Sequence, residues 1–155
     1  MIPESELVKS EILIRDLVLP PDVKLSKQKQ IRWLALSLGL ISPGESRTLV
    51  LDVLESILKN MDFPFTSEQI VEDVCKIQKA KAKDEIKKID KATRYHLTRL
   101  LKIGLIERKK RQYTWIKGNL TNDPIQSLRK KIDSNLDSIF DNMKEVYASY
   151  SASKK

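Results

Sequence analysis

The stretch "ATRYHLTRLLKIGLIERKKRQYTWIK", residues 92–117, decides how the rest of the chain is read. Leu97, Leu100, Leu101 and Ile103 recur at the three-and-four spacing of one buried helical face. Gly104 follows them at the place where a helix ends most cheaply in left-handed backbone. "LIERKK" and "YTWIK" then read as two strands, the second rich in β-favouring Tyr, Thr, Trp and Ile, with "RQ" or "KRQ" as the turn. A basic helix therefore runs through one glycine into a basic hairpin.

The charge is concentrated around this stretch. Residues 76–117 hold 15 lysines and arginines against the four acids Asp84, Glu85, Asp90 and Glu107, a net of +11. The remaining residues hold 14 basic and 17 acidic side chains, a net of −3, so the whole formal excess of +8 comes from 42 residues. Read alone, "KIQKAKAKDEIKK" is as well explained by a solvated surface as by a ligand. Beside a basic helix and hairpin it points to a polyanion footprint.

Working outward, residues 4–18 have the pattern of an amphipathic helix, with Leu7, Val8, Ile14, Leu17 and Val18 on one stripe and "LPPD" ending it. Ser26 suits the cap of a second helix that stops at Gly39. A core helix follows from Arg47, with Val50, Val53, Leu54, Ile57, Leu58 and Met61 on one face. Thr66 and Gln69 have capping-box spacing and open a helix presenting Ile70, Val71 and Val74, with Cys75 on the same core. The connector 76–89 extends that helix or forms a short one of its own; both readings fit. Asp90 or Thr93 is expected to cap the basic helix. "IRWLALSLGLI" (31–41) echoes "HLTRLLKIGLI" (96–106), a similarity that chance between two leucine-rich helix ends explains. The expected fold is mainly α with a small β-hairpin, divided into an N-terminal helical extension 1–45, a central domain 46–120 and a C-terminal helix with a basic tail 121–155.

A lone cysteine, Cys75, and a lone histidine, His96, leave no internal disulfide and no Cys/His metal cluster. The start "MIPESELVKSEILIRDLV" lacks the basic n-region of a signal peptide, and no apolar run approaches a membrane span of about 20 residues. A cytoplasmic chain without cofactors and without a membrane partner is expected. Four glycines form no phosphate-cradling loop, and neither a Ser/His/Asp setting nor a carboxylate pair in apolar surroundings is recognisable, so no enzymatic role is read.

The element order, together with "ATRYHLTRLLKIGLIERKK", resembles the winged helix-turn-helix DNA-binding domains of prokaryotic regulators over about residues 47–117. The resemblance implies that helix 91–103 is a recognition helix entering the major groove of double-stranded DNA and that the hairpin is the wing. Lys91, Arg94, Tyr95 and Thr98 then face the groove, Arg94 reading a guanine edge with its planar fork and Lys91 and Thr98 meeting phosphate. Tyr95 either packs on a sugar or thymine methyl or belongs to the core. His96 is a packed helix residue or a phosphate donor. Lys109, Lys110 and Arg111 reach the backbone or minor groove, with Arg108 and Lys117 as secondary candidates. The long lysine-rich connector is similar to the layout of ferric-uptake-type repressors, but their metal ligands are absent, as are the cysteine pairs of thiol- and arsenic-sensing repressors. Metal sensing is therefore not implied, and any small-molecule effector stays unknown. Winged helices also serve as RNA-binding modules or protein adaptors, and a general chromatin-like DNA binder shares the same charge pattern.

After Pro124, Ile125, Ile132, Ile139 and Val146 recur at intervals of seven, with Leu136, Met143 and Tyr150 beside them. Such a seam either pairs with a second copy, making a homodimer that sets two recognition helices about 34 Å apart, or packs back on its own domain.

Overall fold

The computed structural model describes residues 1–116 and 123–154; Lys117 and the expected boundary near residue 120 lie outside them. The chain is mainly helical with one two-stranded antiparallel hairpin, and it forms two compact units, Met1–Trp115 and Ile116–Lys155. Residues 1–45 belong to the first unit.

Of the helix expected over 4–18, only α1, Glu4–Leu7, forms. The reason lies in the end of α2, Lys27–Ser37, which is capped by Ser26 as expected. The last carbonyls of a helix lack internal partners. Arg15 supplies some, donating from its backbone N–H to the Ser37 carbonyl at 2.9 Å and from Nη1 to the Leu36 and Ile41 carbonyls at 2.9 and 2.7 Å. Trp33 Nε1 donates to the Val18 carbonyl at 2.9 Å. These tertiary bonds hold the segment against α2 and override its local periodicity, leaving Leu7, Val8, Ile14 and Val18 exposed.

The core is built by α3, Leu49–Lys59, α4, Ser67–Gln78, and α5, Lys83–Ile103, with α2 packed on α3. α3 buries Val50, Val53, Leu54 and Ile57, and α4 buries Ile70 and Val74. Cys75 is only half-buried rather than part of that core, and burial, then the charge of Asp90, raises its thiol pKa. The expected capping box is present, with the Gln69 N–H donating to Thr66 Oγ1 at 3.2 Å and the Thr66 N–H to Gln69 Oε1 at 2.8 Å. A buried polar link joins α3 to α4, where Ser56 Oγ and Asn60 Nδ2 both donate to Asp73 Oδ2, at 2.9 and 3.0 Å.

The first connector reading holds only as far as Gln78, where α4 ends; Lys79 adopts left-handed backbone (φ 55°), and from Lys83 the connector is the first part of α5 rather than a short helix of its own. The caps expected at Asp90 and Thr93 are not caps. They sit inside one continuous 21-residue helix, with Thr93 fully buried beside Ile89, Leu97 and Leu100. The expected burial of Leu97 and Leu100 is observed, while Leu101 and Ile103 are half-buried.

The two similar sequence words perform the same local job. Gly39 (φ 72°) and Gly104 (φ 88°) each take the left-handed conformation after a helix. The next leucine donates five residues back, Leu40 to the Ala35 carbonyl at 2.8 Å and Leu105 to the Leu100 carbonyl at 3.0 Å, and Leu40–Ile41 and Leu105–Ile106 enter the core. A methyl added at Gly39 would lie 2.6 Å from the Leu13 carbonyl oxygen, so here the glycine also admits the N-terminal segment.

Strands β1, Ile106–Lys109, and β2, Gln112–Trp115, pair in register from Ile106 with Trp115 to Lys109 with Gln112. Of the two turn residues only Lys110 has positive φ (60°), as at the first position of a type II′ turn. Phe65, in the α3–α4 loop, exchanges both backbone hydrogen bonds with Tyr113 at 2.9 and 2.7 Å, and their rings stack at 6.0 Å. The hairpin is thus anchored through its inner face by Phe65, Tyr113, Ile106 and Trp115, all buried.

In the second unit, α6, Pro124–Ser153, forms as one helix, with Asp123 Oδ1 accepting from the Ile125 and Gln126 N–H groups at 2.9 and 3.4 Å. No helix among the described residues is long and apolar enough to cross a membrane.

Thr93 Oγ1 is buried without a hydrogen-bond partner among the described residues. Replacing an unsatisfied buried hydroxyl by a methyl of the same shape removes a desolvation cost. Thr93→Val is expected to leave stability unchanged or raise it by up to about 1 kcal/mol in urea unfolding, whereas a loss of about 1 kcal/mol is the signature of a removed helix cap.

Candidate nucleic-acid interface

Helical periodicity alone places the outward face of α5. With Ile89, Thr93, Leu97 and Leu100 inward, the opposite side carries Lys87, Lys88, Lys91, Tyr95, Thr98 and Lys102, all exposed. From Lys87 to Lys102 this face runs about 22 Å at 1.5 Å per residue. Lys87 and Lys88 were missed because the helix was expected to start at Asp90 or Thr93, and Lys102, inside the expected helix 91–103, was not singled out. Their signal is the spacing of three and four residues on either side of Lys91 and Thr98.

Tyr95 is 66% exposed, which excludes the core reading, and its ring meets His96 edge-on at 5.3 Å. Thr98 Oγ1 donates to the Arg94 carbonyl at 3.0 Å, which leaves its hydroxyl oxygen outward as an acceptor. Lys91 is exposed and has no ion-pair partner among the described residues.

Arg94 is placed differently from the other three. Its Nε donates to Asp90 Oδ1 one turn back, its Nη1 to Ser67 Oγ at 2.8 Å and its Nη2 to Glu68 Oε1 at 3.4 Å. Asp90 pushes the guanidinium pKa still higher, and Glu68 is held below the usual carboxylate range, first by its own backbone N–H and then by Arg94. The planar fork is engaged with protein acceptors on α4 and α5, so meeting a base requires exchanging them. With its side chain 47% exposed, the network is screened by solvent and contributes little to stability.

In the hairpin, Lys109, Lys110 and Arg111 are exposed at the tip and form no ion pair among the described residues. Arg108 folds back instead. Its Nε donates to the Lys110 carbonyl at 2.9 Å and its guanidinium lies 5.6 Å from the Tyr113 ring centre, so it braces the turn that carries the other three. The elements bearing these two cationic groups are joined only by Gly104 and Leu105.

His96 is half-buried on the flank of α5, with Nδ1 unpartnered among the described residues. Burial and then the charge of Arg99 depress its pKa, against a smaller opposing pull from Glu45.

Neither a scan against protein-family models nor searches of curated proteins and solved structures gave a match.

A histidine whose folded pKa lies below its unfolded value of about 6.5 binds protons less readily in the folded state. Its stabilising contribution is complete above that pH and is lost as pH falls through the folded pKa. Chemical unfolding of the wild type and of His96→Gln at about pH 7.5 and 5.5 checks this. The wild type is expected to lose more stability on acidification than the variant, while parallel losses show that His96 is not the group responsible.

Proposed function

We propose that this chain binds double-stranded DNA as a winged-helix module and acts as a homodimeric transcriptional regulator, a cytoplasmic binding protein rather than an enzyme. The observation that carries the reading is the outward face of α5, where Lys87, Lys88, Lys91 and Lys102 flank Tyr95 and Thr98. A major groove about 12 Å wide admits one α-helix, and a helix lying in it meets phosphates toward its ends and base edges along its middle. The lysines suit the first task, and Tyr95 and Thr98 the second.

The hairpin supports the same reading. Its tip offers three cations that form no ion pair among the described residues, and its anchoring to the α3–α4 loop through Phe65 is the arrangement expected of a wing whose sheet includes a short strand between the first two helices. To Arg94 we assign the bracing of α4 against α5, which sets the angle at which the face is presented. Lys109, Lys110 and Arg111 contact the backbone or minor groove. Pairing of two copies through α6, along Ile125, Ile132, Leu136, Ile139, Met143, Val146 and Tyr150, presents two such faces to one duplex.

Fluorescence anisotropy of a labelled duplex against salt tests the proposal. With about five phosphate contacts, the logarithm of affinity falls against the logarithm of salt with a slope of about −4 to −5. Lys88→Ala is expected to reduce that slope by about 1 and weaken all sequences alike, and Tyr95→Ala to change the preference between sequences selected from a random duplex library. A flat salt dependence contradicts DNA binding, and equal competition by structured RNA favours the RNA-binding alternative.

A further inference from the structure

The pairing of α6 was read above from one seam, but the helix exposes more apolar surface than two helices need. Spacings of four and three residues assign Leu136, Met143 and Tyr150 to the a positions of a heptad and Ile132, Ile139 and Val146 to the d positions. Phe140 and Tyr147 occupy e positions, on the same side of the helix. From Leu136 to Tyr150 all seven of these apolar side chains are 40–70% exposed.

Three features distinguish the number of helices such a face takes. Two-stranded coils favour β-branched residues at a and leucine at d; leucine at a with isoleucine at d shifts the preference to higher orders. α6 has the second pattern, with unbranched or γ-branched side chains at a and Ile or Val at every d. Apolar e positions widen the stripe beyond a single seam, the condition in which each helix touches two neighbours. The g positions Asn135, Asn142 and Ser149 are uncharged, while Asp137, Asp141, Lys144 and Glu145 lie at b, c and f, away from the stripe. From Leu136 to Tyr150 identical copies therefore bring no like charges together across the contact, while Asp133, at the preceding e position, pairs with Arg129 one turn back at 3.7 Å.

We propose that the Ile132–Tyr150 face of α6, wider than the seam of one pair, joins two of the homodimers proposed above into a four-helix bundle, so that two DNA-reading pairs are held in one particle. The proposal rests on α6 being the self-association element but not on the ligand of α5, and its test contains no nucleic acid.

Light scattering of the full chain on a sizing column, at tens of micromolar, is expected to give about 72 kDa, four times the 17.9 kDa chain. Exchanging the two layers, with Leu136→Ile and Met143→Ile combined with Ile139→Leu and Val146→Leu, is expected to give a particle of half that mass with unchanged helix content. Phe140→Lys with Tyr147→Lys, both at exposed sites of the single chain, is expected to abolish the fourfold particle while the circular dichroism spectrum stays the same. A wild type at one, two or three chain masses overturns the proposal. A particle of four chains that survives either set of substitutions places the contact elsewhere and overturns it equally.

Discussion

Everything proposed for the first unit depends on the row of side chains that α5 buries against α3 and α4. Ile89, Thr93, Leu97 and Leu100 are almost completely removed from solvent. Burying a leucine or isoleucine contributes roughly 1.5–3 kcal/mol, so rotating α5 about its axis to expose this row is far costlier than any gain available from its charged side. The periodicity of 3.6 residues then leaves no freedom over what faces outward. Lysines at 87, 88, 91 and 102 point to solvent because apolar residues on the other side point away from it.

The distribution of acids sharpens that outcome. Among the described residues, ion pairs neutralise Lys27 and Lys59 through Glu55, Lys29 through Asp22, Lys76 through Glu72, Arg94 through Asp90 and Glu68, and Arg129 through Asp133. None of these acids answers the lysines of the exposed α5 face or the cations of the hairpin tip. Crowding cations without counter-charges costs folding stability through mutual repulsion. On the proposed reading, a polyanionic ligand relieves on binding the repulsion that the net of +11 in residues 76–117 creates.

Much of this was legible in the sequence where one local rule acted without competition. The Ser26 cap, the Thr66–Gln69 box, the α3 stripe, the Gly104 stop and the hairpin follow from short-range chemistry, and the structure contains all of them. Where two rules competed, local reading lost. Asp90 and Thr93 are good capping residues, but inside α5 the first pairs with Arg94 one turn later and the second fills a core position. Residues 8–18 have helical periodicity, yet Arg15 and the Trp33 indole hold the segment through bonds to partners 15 or more positions away. Phe65 carried no signal in its own neighbourhood, since its partner Tyr113 lies on the far side of two helices in the chain. At the candidate site, Lys91, Tyr95 and Thr98 stand outward, whereas the engagement of Arg94 depends on Ser67 and Glu68, which sequence proximity does not connect to it.

The central claim is that one face of α5 and the hairpin tip meet the same duplex. Amide chemical-shift mapping of the isotope-labelled full chain, titrated with a short DNA duplex at low salt, tests it most directly. The account predicts the largest changes at Lys87, Lys88, Lys91, Tyr95, Thr98 and Lys102 together with Lys109–Arg111, all following one saturation curve, with α2 and α3 unmoved. Changes centred on α2 or α3, or shifts of the helix and hairpin residues with separate saturation curves, contradict it.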